Sequence, residues 1–138
     1  MAITRLNNNS ISAVSALPSS IDTGKVGQVV SVAKTDSFTT TSTSFTALTG
    51  ITADITPTAS NSKILVSVNL GAVDATGNII TLFQLFRGST LIGQGNAVGS
   101  RSRVMFKRIV PSSNDAAAQS AQFLDSPSST SQLTYSIK

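Results

Sequence analysis

At 138 residues the chain is long enough for one domain with a core and too short to suggest two. It has no Cys and no His, which excludes disulfides, most zinc chemistry and the usual general base of nucleophilic hydrolases, so neither an enzyme nor a cofactor is expected. The net charge of +4 arises from ten bases against six acids in a chain only 12% charged; this argues weakly for nucleic acid, and better for a polar surface facing salt water or packed into an assembly. No apolar run approaches the roughly 18 residues of a membrane span, and the N-terminus lacks the charged-then-apolar order of a signal peptide. Membrane insertion is therefore not expected. Ser and Thr make up nearly three residues in ten, and all six acids are Asp. Strand and turn formers thus outweigh helix formers, and the chain reads as all-β.

Residues 1–24 form a segment of their own, an N-terminal arm and linker ahead of a β domain over 25–138. The polar tract Asn7-Asn8-Asn9-Ser10 can cap a short helix over 11–17, with Ile11, Val14 and Leu17 on one stripe and Pro18 ending it. So short a helix needs a surface to dock on. The arm reads equally as a frayed end or as an attachment segment ordered by a neighbour in an assembly. Residues 25–34 alternate loosely around Val26, Val30 and Val32 as a first strand, and 35–44 is hydroxyl-rich, with Phe38 and Phe45 as anchors of short strands with a bend.

Residues 45–48 and 51–55 give the next alternation, with Ile51, Ala53 and Ile55 inward, until Pro57 stops the ladder for want of an N–H. After a turn at 59–62, residues 63–70 are the cleanest period-2 strand, with Ile64, Val66, Val68 and Leu70 inward. A loop with Gly77 leads to 79–95, where two apolar runs flank Arg87-Gly-Ser-Thr90 in the pattern of an antiparallel hairpin. Apolar groups on both parities of its first arm predict a strand covered on two sides, at the centre of the core. Residues 101–110 read as a strand, 111–115 as a loop, 119–124 as a strand, 125–131 as a long turn, and 132–138 as a last strand with Leu133, Tyr135 and Ile137 on one face. Eight to ten short strands at this spacing describe an antiparallel β-sandwich or jelly roll with an extended or short-helical N-terminal arm. The two-sided hairpin leaves apolar surface for a subunit contact, which a trimer or another ring would supply.

The one basic cluster is Arg101, Arg103, Lys107 and Arg108. On a single strand Arg101, Arg103 and Lys107 make a surface stripe and Arg108 faces the other way. Aromatics do not interleave with it, so a solvated or edge-protecting face is favoured over nucleic-acid binding. The glycines of 93–99 are spaced one place late for a phosphate-binding turn and precede no helix. The six Asp are scattered, with no acid/base dyad or calcium loop among them, and Asp74 and Asp115 read as turn residues.

Several strings, in order, carry a resemblance over nearly the whole chain: Met-Ala-Ile-Thr-Arg-Leu-Asn-Asn-Asn-Ser-Ile at the start, Ala-Leu-Pro-Ser-Ser-Ile at 16–21, the Ser-Phe and Thr-Ser-Phe-Thr elements of 37–46, Ile-Thr-Pro at 55–57, Ser-Lys-Ile-Leu-Val at 62–66, Leu-Phe-Arg-Gly-Ser-Thr at 85–90, Gly-Ser-Arg-Ser-Arg at 99–103 and Phe-Leu-Asp-Ser-Pro at 123–127. They resemble tail-fibre or head-decoration proteins of marine, cyanophage-like bacteriophages. The resemblance implies a virion structural protein, assembled in the host cytoplasm and extracellular in the mature particle. It implies attachment to other virion proteins through the arm, with Ile3, Leu6, Ile11, Val14 and Leu17 as the contacts. The β domain would project, commonly as a homotrimer, towards a host surface receptor; a receptor- or carbohydrate-binding module at the end of a fibre is the alternative. Members of that family continue past the Tyr-Ser-Ile-Lys strand, so residues 132–138 are expected to pair with a partner chain or with later residues. The resemblance places no receptor-binding residue on this chain.

Overall fold

The structure, a computed structural model, describes residues 26–138. They contain eight strands and no helix, and every strand pairing is antiparallel. The strands are β1 (Thr52–Ile55), β2 (Ile64–Val73), β3 (Ile79–Phe83), β4 (Leu85–Arg87), β5 (Thr90–Ile92), β6 (Phe106–Val110), β7 (Ala117–Asp125) and β8 (Leu133–Ile137). One sheet has the order β1-β8-β4-β5, and β2-β7 and β3-β6 form two ribbons. The arm, including the expected helix at 11–17, lies outside the described residues.

The best-patterned strand in the sequence organises the core. In β2, Ile64, Val68 and Leu70 are buried and Val66 is half-buried, while Leu65, Ser67 and Asn69 face out. Its partner β7 continues the alternation, with Ile64 opposite Asp125, Val66 opposite Phe123 and Val68 opposite Ala121. Between Leu70 and Val73 the register shifts, a bulge that takes in Gly71 and Ala72. The buried cluster joins β2 to Phe83, Leu85, Tyr135 and Ile137, so the ribbon packs where β4, β8 and the end of β3 meet.

The hairpin expected over 79–95 forms only at its tip, where Leu85–Arg87 pairs with Thr90–Ile92 around the two-residue connection Gly88-Ser89 in place of the expected four-residue one, with Gly88 at φ 57°. Its first arm, however, changes partners midway. Residues 79–83 pair with β6 and residues 85–87 with β5 on the same side, while Gln84 exchanges both backbone hydrogen bonds with Lys138 on the other side (2.8 and 3.0 Å). The expectation of cover on both faces holds near Leu85, 1% exposed, and fails at the start of the arm, where Ile79 and Ile80 are 45% and 55% exposed. Phe83 and Phe106, register partners, stack with centroids 4.7 Å apart.

Three strand expectations need correction. Residues 26–34 form no strand and pair with nothing among the described residues, so their valine alternation faces no sheet. Residues 35–48 form no strand either. Their hydroxyls serve nearby backbone groups instead: the Ser42 amide donates to Thr40 Oγ1, the Ser44 amide to Ser42 Oγ, and Thr46 Oγ1 to the Ser44 carbonyl. Such local bonds compete with a ladder. The strand expected over 101–110 begins only at Phe106, because the next position on that side of the arm, Leu85, is already paired with Ile92.

Candidate functional site

Three polar side chains, Arg87, Asp125 and Tyr135, converge at one buried point. Arg87 on β4 and Tyr135 on β8 are register partners, and the C-terminal end of β7 brings Asp125 between them. Arg87 Nη1 donates to both carboxylate oxygens of Asp125 at 3.0 and 2.8 Å, Tyr135 Oη donates to Oδ2 at 2.7 Å, and the Ser126 amide donates to Oδ1 at 2.9 Å. Asp125 is 6% exposed and Tyr135 5%. Burial first, and then the hydrogen bond to Asp125, push the Tyr135 phenol far above its ordinary value of 10.0. Both oxygens of the carboxylate are used by these donors. The arrangement fastens the β2-β7 ribbon to the four-stranded sheet.

Arg108 makes a second link. Its Nε donates to the Val73 carbonyl at 3.1 Å, and its Nη2 lies 3.1 Å from Asp115 Oδ2 and donates to the Asp115 carbonyl. It thus ties β6 to the end of β2 and to the loop before β7, on the face away from Lys107 as its parity predicts. The expected stripe does not form as one strand. Arg101 and Arg103 lie in the loop before β6, and Arg103 Nε donates to the Gly95 carbonyl at 3.0 Å, leaving only Lys107 on the strand. Among the described residues no three acidic, His or Cys side chains gather to hold a metal ion, and no helix is long and apolar enough to cross a membrane. An open polar depression of about 370 Å³ lies between the turn at 59–62 and the start of the loop after β7, lined by Ser60, Asn61, Ser62, Lys63, Ser126 and Ser128.

The most unusual surface is apolar. Ile80 and Ile109 are direct cross-strand partners on the outer face of the β3-β6 ribbon and are 55% and 53% exposed. Leu65 and Leu124 are likewise partners on the outer face of β2-β7, at 61% and 58%. Val26, Val29, Val30 and Val32 on the unpaired segment are 40–80% exposed. In all, eleven large apolar residues are exposed against eight buried ones among the described residues. Paired strand positions normally bury such side chains, and single scattered ones need no explanation; pairs in register do.

Of the sequence-derived candidates, Ile3, Leu6, Ile11, Val14 and Leu17 lie outside the described residues. Arg101, Arg103 and Lys107 are exposed but belong to two different elements. Asp125, Arg87 and Tyr135 were not foreseen as a group. A signal for it exists in parity: Phe123 and Asp125 share the inward face of β7, so an acid placed there needs a buried partner. Comparison with known protein families, with curated proteins and with solved structures finds no match to this chain.

Proposed function

We propose that the chain is a structural subunit of a bacteriophage virion, a tail-fibre or head-decoration protein that acts by being assembled and has no catalysis or cofactor of its own. In this reading its antiparallel sheets close as a β-sandwich or jelly roll, its N-terminal arm attaches to other virion proteins, and its β domain projects as a homotrimer. The ordered strings described above support the virion assignment. The observation that carries the assembly half is the pair of exposed isoleucines, Ile80 and Ile109, in register on a ribbon with one side unoccupied among the described residues. A subunit that hides such a pair against a neighbour gains roughly 25 cal/mol for each Å² of apolar surface removed from water. Immunoelectron microscopy of purified particles, with the label on the N-terminal arm, tests the assignment. Label at a fixed site on head or tail is expected; particles that never contain the chain would overturn it.

A receptor- or carbohydrate-binding role is the second reading, favoured by the polar depression around Lys63 and Ser126, whose side chains are joined at 2.7 Å. The chain has one Tyr and no Trp to stack on sugars, and Tyr135 is buried. A glycan array with tight, saturable binding that is lost in Lys63→Ala would favour this reading; no binding would remove it.

A further inference from the structure

We infer that the open edge of β3 receives residues 26–32 of a second copy of this chain as an added strand. The inference rests on the self-assembly reading above and names the surfaces that meet.

The edge follows from hydrogen-bond parity. In an antiparallel strand the N–H and C=O of one residue point to the same side, and successive residues alternate. Gln84 directs both groups at Lys138, on the β8 side, while the Phe83 carbonyl accepts from the Met105 amide at 2.8 Å on the β6 side. Two and four residues earlier, Leu82 and Ile80 therefore direct their backbone groups to the β8 side. No strand lies there among the described residues, because β8 pairs no further along than Gln84. An exposed edge of this kind templates a further strand.

The same chain carries the other half of the contact. Among the described residues, no backbone group from 26 to 47 bonds to another backbone group; the first to do so is the Leu48 amide, which donates to Ile137 at 2.9 Å. Val26, Val30 and Val32 share one parity and favour strand geometry. The root of the segment is held by Lys34, whose side chain lies over Gly50 and is 11% exposed. Upstream of it, eight residues can reach roughly 26 Å when extended. With Val30 beside Ile80, the valines of one parity line the same outer face next to the Ile80–Ile109 pair, and Val30 and Ile80 shield each other's flanks as cross-strand neighbours. Within one chain neither covers the other, since Ile80 is 55% and Val26 79% exposed; the complement is therefore a neighbour. Each copy gives one strand and receives one, a head-to-tail contact that a threefold ring closes.

The absence of native cysteine makes the test direct. Full-length Val30→Cys and Ile80→Cys chains are mixed and oxidised, with Ile109→Cys, one strand further from the edge, and Leu65→Cys, on another exposed face, as controls. The expected result is a disulfide-linked band at twice the 14.2 kDa chain mass for V30C with I80C, and none with L65C or with I109C, which lies about 10 Å from the added strand, beyond disulfide reach. Light scattering on the same samples separates the failures. An oligomer in which V30C does not link to I80C, or links as readily to I109C or L65C, overturns this inference and leaves self-assembly standing; an I80C that links chiefly to itself overturns it too. A chain bearing both cysteines that closes internally at monomer mass overturns the second copy as occupant. A monomer without cross-links overturns both readings.

Discussion

Arg87 and Tyr135 face each other across β4 and β8 and donate to the same carboxylate, that of Asp125 at the end of β7. Two sheets are thereby joined through one buried acid. Removing that acid leaves a guanidinium and a phenol without their partner, a larger loss than the pair's net worth suggests. Arg87 is 25% exposed and can recover some hydration. Asp125→Ala is expected to destabilise by about 3 kcal/mol, and Tyr135→Phe by about 1 kcal/mol, both read from urea denaturation midpoints. Equal, negligible shifts would show that the ribbon is held by its apolar contacts alone.

The same phenol predicts an alkaline limit. Burial, followed by the Asp125 hydrogen bond, raises its folded pKa above the ordinary value of 10.0. Below pH about 10 the proton is held in both folded and unfolded chains and this contribution to stability is complete. Above it the unfolded chain releases the proton first, so stability falls as pH climbs towards the folded pKa. Tyr135 is the only Tyr and Trp is absent, so phenolate absorbance reports this site alone. The native protein should titrate well above a urea-unfolded sample; coincident curves would contradict the buried pair.

Parity along β2 sets a third expectation. Leu85, 1% exposed, lies in the cluster that β2 covers, whereas Leu65 on β2 is 61% exposed. Leu85→Ala should cost about 3 kcal/mol, while Leu65→Ala should stay within about 0.5 kcal/mol. Thermal unfolding of the two variants checks the assignment of faces, and a reversal would mean that the ribbon is turned over.

How much of this was legible in the residues depends on whether a feature is local. The alternation at Ile64, Val66, Val68 and Leu70, the stop at Pro57 and the turn around Gly88 are properties of short stretches, and each is found in place. Residues 26–34 alternate just as a strand does, yet a strand is defined by its partner, and no local pattern supplies one. The hydroxyls at 40–46 spend their bonding capacity on their own neighbours, which composition does not distinguish from ladder pairing. Arg87, Asp125 and Tyr135 are brought together by register across three strands, so Asp125, followed by Ser-Pro, reads in sequence as the start of a turn. The handover of the long arm from β6 to β5, which cuts the expected basic stripe in two, is also a matter of tertiary pairing.

The claim on which the rest depends is that the Ile80–Ile109 face and the valine segment bring copies of the chain together. Light scattering of the full chain across a concentration series, alongside Ile80→Lys/Ile109→Lys, measures it most directly. Both side chains are more than half exposed, so the lysines should leave urea stability within about 0.5 kcal/mol. The account predicts a mass at an integral multiple of 14.2 kDa, three for a closed trimer, and a shift to one chain in the double variant. A wild-type chain that stays at a single chain mass at every concentration would contradict it.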